Sequence, residues 1–406
     1  MQFTRLNYWV TAIALICSLP FAGAQQLTRI QNFGSNPGNL KMYVYTPAGL
    51  DTSRQTPLVV VLHGCLQSAG AAAKQTGWNK LADTYGFRVL YPQQRILNNP
   101  QKCFCWYQRS DIEKGKGESF SIKQMIDEVK RTNAIDSSQV FITGLSAGAA
   151  MGVALMADYP EAFNAGAIFA GGAYKTATNI WTGILSLYGW RIKSPEKWGA
   201  LVREQNPNYT GEYPRMIIYQ GKADVVVNKR NGSQLMKQWT NLHGLSTTPT
   251  ETIRRFAGAK AIEKNIYRTN EGKEAVLYYR IKHLGHALLV DPGKCLNQGG
   301  KRGLFSADKN YFSTYWTAVD FGLISRPAII GKTEVSANET ATYSLSPSVD
   351  GQKVSWKFPK DCKVIQNQGN GELTLKWFGK GGSINAAAYY DKKCRQAFST
   401  LVVKVK

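Results

Sequence analysis

The 406-residue chain has no C-x-x-C or H-E-x-x-H spacing, so nothing in it reads as a zinc site, and no metal or cofactor is expected. After the first two dozen residues no segment is apolar enough over the ~20 residues that a membrane-spanning helix requires. Acid is scarce: 27 Asp and Glu stand against 50 Lys and Arg, a formal +23, although only 19% of residues are charged. Basic runs such as Lys392-Lys393 and Arg254-Arg255 are too short, and too free of interleaved aromatics, for a nucleic-acid surface. The excess is spread over both halves of the chain and reads as solvated faces, with an anionic polymer or envelope as the partner such a field would attract. Histidine is the scarcest group, four in all, and that narrows the choice of any catalytic base to His63, His243, His283 and His286.

What is present begins with an expected leader. Residues 1–24 carry Arg5, an apolar run from Trp9 to Pro20 and a small-residue Ala22-Gly23-Ala24 cleavage site, the pattern of a secretory signal peptide. Ile16 ahead of Cys17 argues against a lipid-modified cysteine. Secretion or a periplasmic location follows, and the six cysteines left after cleavage favour disulfides. Cys362 and Cys394 are expected to bridge two strands of the tail, with the pairing of Cys65, Cys103, Cys105 and Cys295 open. The oligomeric state is also open.

From Leu58 to Ile281, β-branched apolar runs alternate with amphipathic stretches, the rhythm of an α/β protein with a mainly parallel sheet. Strands are expected at Leu58–Leu62, Phe87–Tyr91, Gln139–Thr143, Met216–Gln220 and Ala275–Ile281. A helical stretch is expected near Ala71 to Tyr85, and a helix from about Ser121 to Thr132 with a capping box of Ser121 and Gln124. Between Tyr174 and Tyr213 the rhythm lapses into an aromatic-rich insertion whose rings either pack or line a groove. Beyond the connector Ser325-Arg326-Pro327 only short strands and turns remain. The expected domains are therefore a catalytic body over 25–325 and a small β-sandwich over 331–406.

The strongest local feature is Gly144-Leu145-Ser146-Ala147-Gly148 between a strand and an Ala- and Gly-rich helix, a nucleophile elbow that presents Ser146 at the top of the sheet. A serine hydroxyl needs a base and an orienting acid, in the chain order Ser, Asp, His. His286, just past the last strand, is the expected base, ahead of His283. Asp224, in the loop after Met216–Gln220, is the expected acid, ahead of Asp291 and Asp308. The backbone amides of Cys65 and Ala147 are the expected oxyanion donors.

These segments together resemble the polyhydroxybutyrate depolymerase-like esterases, relatives of feruloyl and acetylxylan esterases among the α/β-hydrolases. The likeness spans roughly residues 40–323. It rests on Leu62-His63-Gly64-Cys65-Leu66-Gln67, Gly77 to Asp83, Val89-Leu90-Tyr91-Pro92, Cys105-Trp106, Ile122 to Asp127, the elbow and Gly285-His286-Ala287. It implies a secreted serine esterase with Ser146, Asp224 and His286 as its triad and Cys65 and Ala147 as oxyanion donors. It places Trp106 and Leu288 at the substrate, with Leu288 where relatives often carry Trp. The tail resembles a PKD-like immunoglobulin-type module. The expected substrate is a short-chain polyhydroxyalkanoate such as polyhydroxybutyrate. The rivals are a feruloyl or acetyl polysaccharide ester, an acidic polyamide, and a non-catalytic adhesin that kept the fold.

Overall fold

The computed structural model describes residues 26–346, 353–367, 371–391 and 394–406; the leader expected over residues 1–24 lies outside them. The chain opens with β1 (Thr28–Ile30), β2 (Lys41–Tyr45) and β3 (Thr56–Leu62), then α1 (Ala69–Thr76), α2 (Trp78–Tyr85), β4 (Arg88–Gln93) and α3 (Gly117–Thr132). The centre follows as β5 (Ile135–Leu145), α4 (Ala147–Asp158), β6 (Ala165–Phe169), α5 (Ile180–Leu187), α6 (Pro195–Arg203), β7 (Arg215–Gly221) and α7 (Arg230–Leu242). The body closes with β8 (Glu251–Arg254), β9 (Ile262–Arg268), β10 (Glu274–Ile281), β11 (Leu288–Val290), β12 (Ser306–Asp308) and α8 (Ser313–Phe321).

Ten of these strands form one sheet in the order β1-β2-β4-β3-β5-β6-β7-β10-β9-β8. The six from β4 to β10 run parallel, and antiparallel pairs finish both edges. The central strands are apolar on both faces because both faces are covered. On β3, Leu58, Val60 and Leu62 enter one core with α3, α4 and α7, while Val59 and Val61 point into the other with α1, α2 and α8. That period of two on a run of buried residues is why it reads as an uninterrupted apolar string.

One expectation is refined here and two are corrected. The helical stretch expected near 71–85 resolves into two helices, broken at Gly77, whose φ of 71° is left-handed. A Cβ there would meet the Gly300 nitrogen at 2.7 Å and the Phe312 ring at 2.9 Å, so glycine is needed for shape as well as for backbone freedom. Ser121 and Gln124 form no capping box, because α3 starts a turn earlier. Their side chains accept instead from the Gly38 and Asn36 amides at 2.8 and 2.9 Å and pin the N-terminal loop to the helix. The tail disulfide is the third: Cys394 bonds Cys295 of the catalytic body, a second disulfide joins Cys65 to Cys103, and Cys105 and Cys362 are free thiols. Cys362 starts an edge strand of one sheet of the tail, whereas Cys394 starts a strand of the other, so the two are not cross-strand neighbours.

The tail strands are β13 (Ala328–Ile330), β14 (Glu334–Val335), β15 (Thr340–Ser346), β16 (Lys353–Lys357), β17 (Cys362–Asn367), β18 (Glu372–Trp377), β19 (Gly381–Asp391) and β20 (Cys394–Val405). They form two four-stranded sheets, β13-β15-β18-β17 and β14-β20-β19-β16, around Tyr343, Leu373, Leu375, Trp377 and Ile384. The first sheet takes in Ala328–Ile330, just ahead of the expected Gly331 boundary. The strands β8 and β9, where no element was expected, close the sheet on this side and carry several charged residues, Glu251 and Arg254 on the edge strand β8 and Glu263, Lys264 and Arg268 on its neighbour β9.

Candidate active site

The loops that follow parallel strands open at one edge of the sheet, and that edge is where such folds place their chemistry. Ser146 leaves β5 with φ 58° and ψ −120°, a conformation that costs a non-glycine residue energy and persists only when its surroundings impose it. Its amide donates to the Phe169 carbonyl of the neighbouring strand at 2.9 Å. The two glycines of the elbow are steric requirements. A Cβ on Gly144 would strike the Gly148 carbonyl and the Ala149 nitrogen, and one on Gly148 would strike the Leu62 and His63 carbonyls. The first turn of α4 thus packs directly on the end of β3, bringing the segment that contains Cys65 against the helix N-terminus that starts at Ala147.

That segment is held from several sides. His63 is buried, with Nδ1 2.7 Å from the Gly64 carbonyl and Nε2 accepting from the Gln94 amide at 3.0 Å. This arrangement fits a neutral ring protonated on Nδ1, and burial lowers its pKa to about 4. The Gly64 amide donates to Gln67 Oε1 at 2.7 Å, and the Cys65–Cys103 disulfide ties the loop to residues 99–105. Glu118, from the first turn of α3, lies beneath: its carboxylate accepts from the Cys105 amide at 2.8 Å and from Gln94 Nε2. Desolvation pushes its pKa up to about 7. The sequence offers no sign of this role, because a Glu in a first helical turn ordinarily faces solvent and the helix dipole.

Asp224 follows β7. Its Oδ1 accepts from the Val226 and Val227 amides, both at 2.9 Å, and its Oδ2 lies 2.9 Å from His286 Nδ1. Both side chains are almost fully buried. His286 sits on the loop after β10, which is clamped to the end of β7 by Lys222 N to Ile281 O at 2.8 Å and Ala223 N to Leu284 O at 3.0 Å. Gly221 makes this contact possible, since a Cβ there would press on the Leu284 and Gly285 carbonyls. The rival His283 is exposed, with a left-handed φ of 57°, and His243 is turned to the Pro214 carbonyl. Asp291 follows β11 and Asp308 ends β12, and the carboxylate on His286 Nδ1 is that of Asp224.

Ser146 opens into a narrow cleft bounded by Trp106, Leu187 and Val227. Val227 is the residue whose amide holds Asp224, so the acid's loop also walls the cleft. Behind it lie Thr176, Ser186 and Asn231, three polar residues that sequence reasoning missed. Thr176 Oγ1 and Ser186 Oγ are 3.1 Å apart, and Asn231 Nδ2 donates to the Ser186 carbonyl at 2.8 Å. Nothing local marks them, since they come from two separate segments that only the fold brings together. Leu288 is not at this cleft: it is buried in β11 and borders a separate cavity behind the elbow with His63 and Leu145. Among the described residues no cluster of His, Cys, Asp and Glu could hold a metal, and no helix is long and apolar enough to cross a membrane.

The class follows from this edge of the sheet: the chain is a serine hydrolase of the α/β-hydrolase fold. Comparison with known proteins narrows it. The family model described as Esterase PHB depolymerase matches residues 40–263, and the chain belongs to that family. It is 39% identical over 315 residues to poly(3-hydroxyalkanoate) depolymerase C of Paucimonas lemoignei, covering 77% of this chain and 74% of that one. It is 32% identical over 295 residues to feruloyl esterase B of Talaromyces funiculosus, covering 71% and 80%. Among solved structures, an acetyl xylan esterase from Aspergillus awamori superposes with a TM-score of 0.60 at 27% identity, over 64% of this chain and 94% of that one.

Proposed function

We propose that this esterase cleaves a water-insoluble polyester of short hydroxyacids, with Ser146 as nucleophile, His286 as base and Asp224 as the acid that orients it. Ser146 Oγ attacks the ester carbonyl carbon while His286 Nε2 takes its proton. The oxyanion that forms accepts from the Cys65 and Ala147 amides, and as it collapses His286 returns the proton to the departing alcohol. Water, deprotonated by the same imidazole, then attacks the acyl-enzyme and releases a carboxylic acid. Asp224, already saturated on Oδ1 by two amides, keeps Oδ2 for the imidazole and fixes the tautomer that leaves Nε2 free to accept.

The observation that carries the polymer reading is the apolar rim beside the cleft. Helix α5 supplies Ser186 and Leu187 to the cleft, yet its other face and the turn after it expose Trp181 (75%), Tyr188 (59%) and Trp190 (63%), with Tyr188 and Trp190 stacked 5.2 Å apart. The aromatic insertion thus divides: Trp198 is buried and bonded to Gln234, while these three face solvent. Exposed aromatics clustered at a catalytic mouth suit adsorption to an apolar solid better than recognition of a hydrated sugar. Export through the leader agrees with two disulfides. The tail is read as an accessory module, PKD-like in its strand pattern, that helps hold polymer or envelope.

Clearing of a polyhydroxybutyrate suspension by the full chain tests the reading, with Ser146→Ala as control and a soluble short-chain ester alongside. Clearing that vanishes in the variant is expected. Cleavage of the soluble ester without clearing overturns the polyester assignment in favour of a feruloyl or acetyl polysaccharide ester.

A further inference from the structure

A second cavity, of about 320 Å³, lies on the far side of the loop that carries His286. Its walls are apolar, formed by Ile281, Leu284 and Leu289, and its rim holds the exposed Lys260, Lys282 and Lys309. No lining residue is acidic, and among the described residues none of the three lysines is in an ion pair. Like charges gathered around an apolar hollow repel one another, and an anion seated there relieves that repulsion. The backbone takes a left-handed conformation at one lining residue, His283, with φ 57°. Backbone in this condition gathers at ligand sites. The volume lies at the lower end of that of small-molecule pockets.

We propose that this cavity is a second binding site, distinct from the Ser146 cleft, for the carboxylate end of a short hydroxyacyl chain. The inference rests on the polyester reading. Each hydrolysis of such a polymer creates a free carboxylate on an otherwise apolar chain, and this hollow is complementary in both respects: aliphatic wall for the chain, ammonium rim for the new charge. Its location keeps a cut end close to the cleft, since Leu284, a wall residue, is also the residue whose carbonyl accepts from Ala223 beside Asp224.

The test uses the full chain with Ser146 blocked by a fluorophosphonate, so that the cleft is filled and only other sites remain. The linear dimer of 3-hydroxybutyrate and its methyl ester are titrated calorimetrically. The blocked chain is expected to bind the acid, to bind the ester at least fivefold more weakly, and to lose at least fivefold in affinity for the acid in Lys282→Ala/Lys309→Ala. Both lysines are exposed, and unchanged soluble-ester hydrolysis by the unblocked variant shows that it is folded. No binding to the blocked chain, or equal binding of acid and ester, or equal binding by the variant, overturns the site. Failure of the fluorophosphonate to react would instead count against the serine mechanism, so the two failures are separable.

Discussion

Both carboxylate oxygens of Asp224 are engaged: two backbone amides donate to one and His286 meets the other. Asp224→Asn would turn an amide N–H toward Nδ1 and favour the tautomer whose Nε2 carries the proton, which cannot accept from Ser146. We expect kcat on a soluble ester to fall by roughly 10³- to 10⁴-fold with the fold intact by circular dichroism; a loss of under tenfold would mean that Asp224 does not orient the base. A second residue sets a pH dependence. Asp158, buried at the end of α4, is bonded to Ser119 Oγ and to Tyr174 Oη at 3.2 Å, and desolvation raises its pKa to about 8. The stability tied to its neutral form is complete below the ordinary value near 3.8 and is lost as pH rises through about 8. Asp158→Asn keeps the neutral partner at every pH. Its stability relative to the parent should therefore grow from pH 5 to pH 9, by on the order of 2 kcal/mol in urea titrations, and a gap independent of pH would refute the assignment. His63 acts in the opposite sense: lowered to about 4, it contributes stability above 6.5 that is lost as pH falls through 4. Ser146, Asp224 and His286, which we propose as the reacting residues, stood out in the sequence because each follows a strand too apolar to mistake. Glu118, Asp158 and the Thr176–Ser186–Asn231 group could not, because what makes them matter is burial by distant segments, to which their neighbours in sequence give no clue.

Elements meet at this site through backbone contacts that leave no room for side chains, and these carry their own prediction. Gly221, ending β7, touches the Leu284 and Gly285 carbonyls of the His286 loop. Gly221→Ala forces backbone apart, with no flexible side chain to yield, and it shifts the imidazole relative to Ser146. A displacement of even 1 Å in a catalytic group costs on the order of 100-fold. We expect a loss of that size in kcat/KM with near-normal secondary structure; parental kinetics would show that the loop is free to move away without moving His286. The same logic explains which elements were legible. The strand β3 is stated by the uninterrupted β-branched run Val59-Val60-Val61, and β5, β6 and β7 by the short stretches of buried apolar residues within them. The break between α1 and α2 was signalled by Gly77 alone, and one glycine within an amphipathic pattern is tolerated often enough that the signal is ambiguous until Gly300 and Phe312 are seen against it. The Ser121 and Gln124 spacing imitates a cap while serving a tertiary contact to residues 36–38, a competition that local pattern cannot resolve.

At the scale of the molecule, the Cys295–Cys394 bond spans 99 residues and joins the catalytic body to a β-sandwich too small to rest on its core alone. Spacing within the tail suggested Cys362 as the partner because both cysteines lie on short strands there, and the true pairing is invisible without knowing that the loop after β11 faces β20's start. On the body side that loop is already braced, since Lys80 Nζ donates to the carbonyls of Gly293, Cys295 and Gln298 at 3.2, 2.8 and 2.6 Å. The anchor is thus rigid at one end, and the bond's effect falls mainly on the sandwich. Closing a loop of this length stabilises by about 2–4 kcal/mol, chiefly by restricting the unfolded chain, and that is a large share of what about 76 residues can muster. We expect calorimetry of the intact chain to show the sandwich melting with or close to the body. In Cys394→Ser the sandwich should melt first as a separate transition, while soluble-ester hydrolysis stays within a factor of two because, among the described residues, no tail residue lines the Ser146 cleft. A variant whose thermogram superposes on that of the parent would show that packing between the two parts, and not the covalent link, holds the sandwich in place.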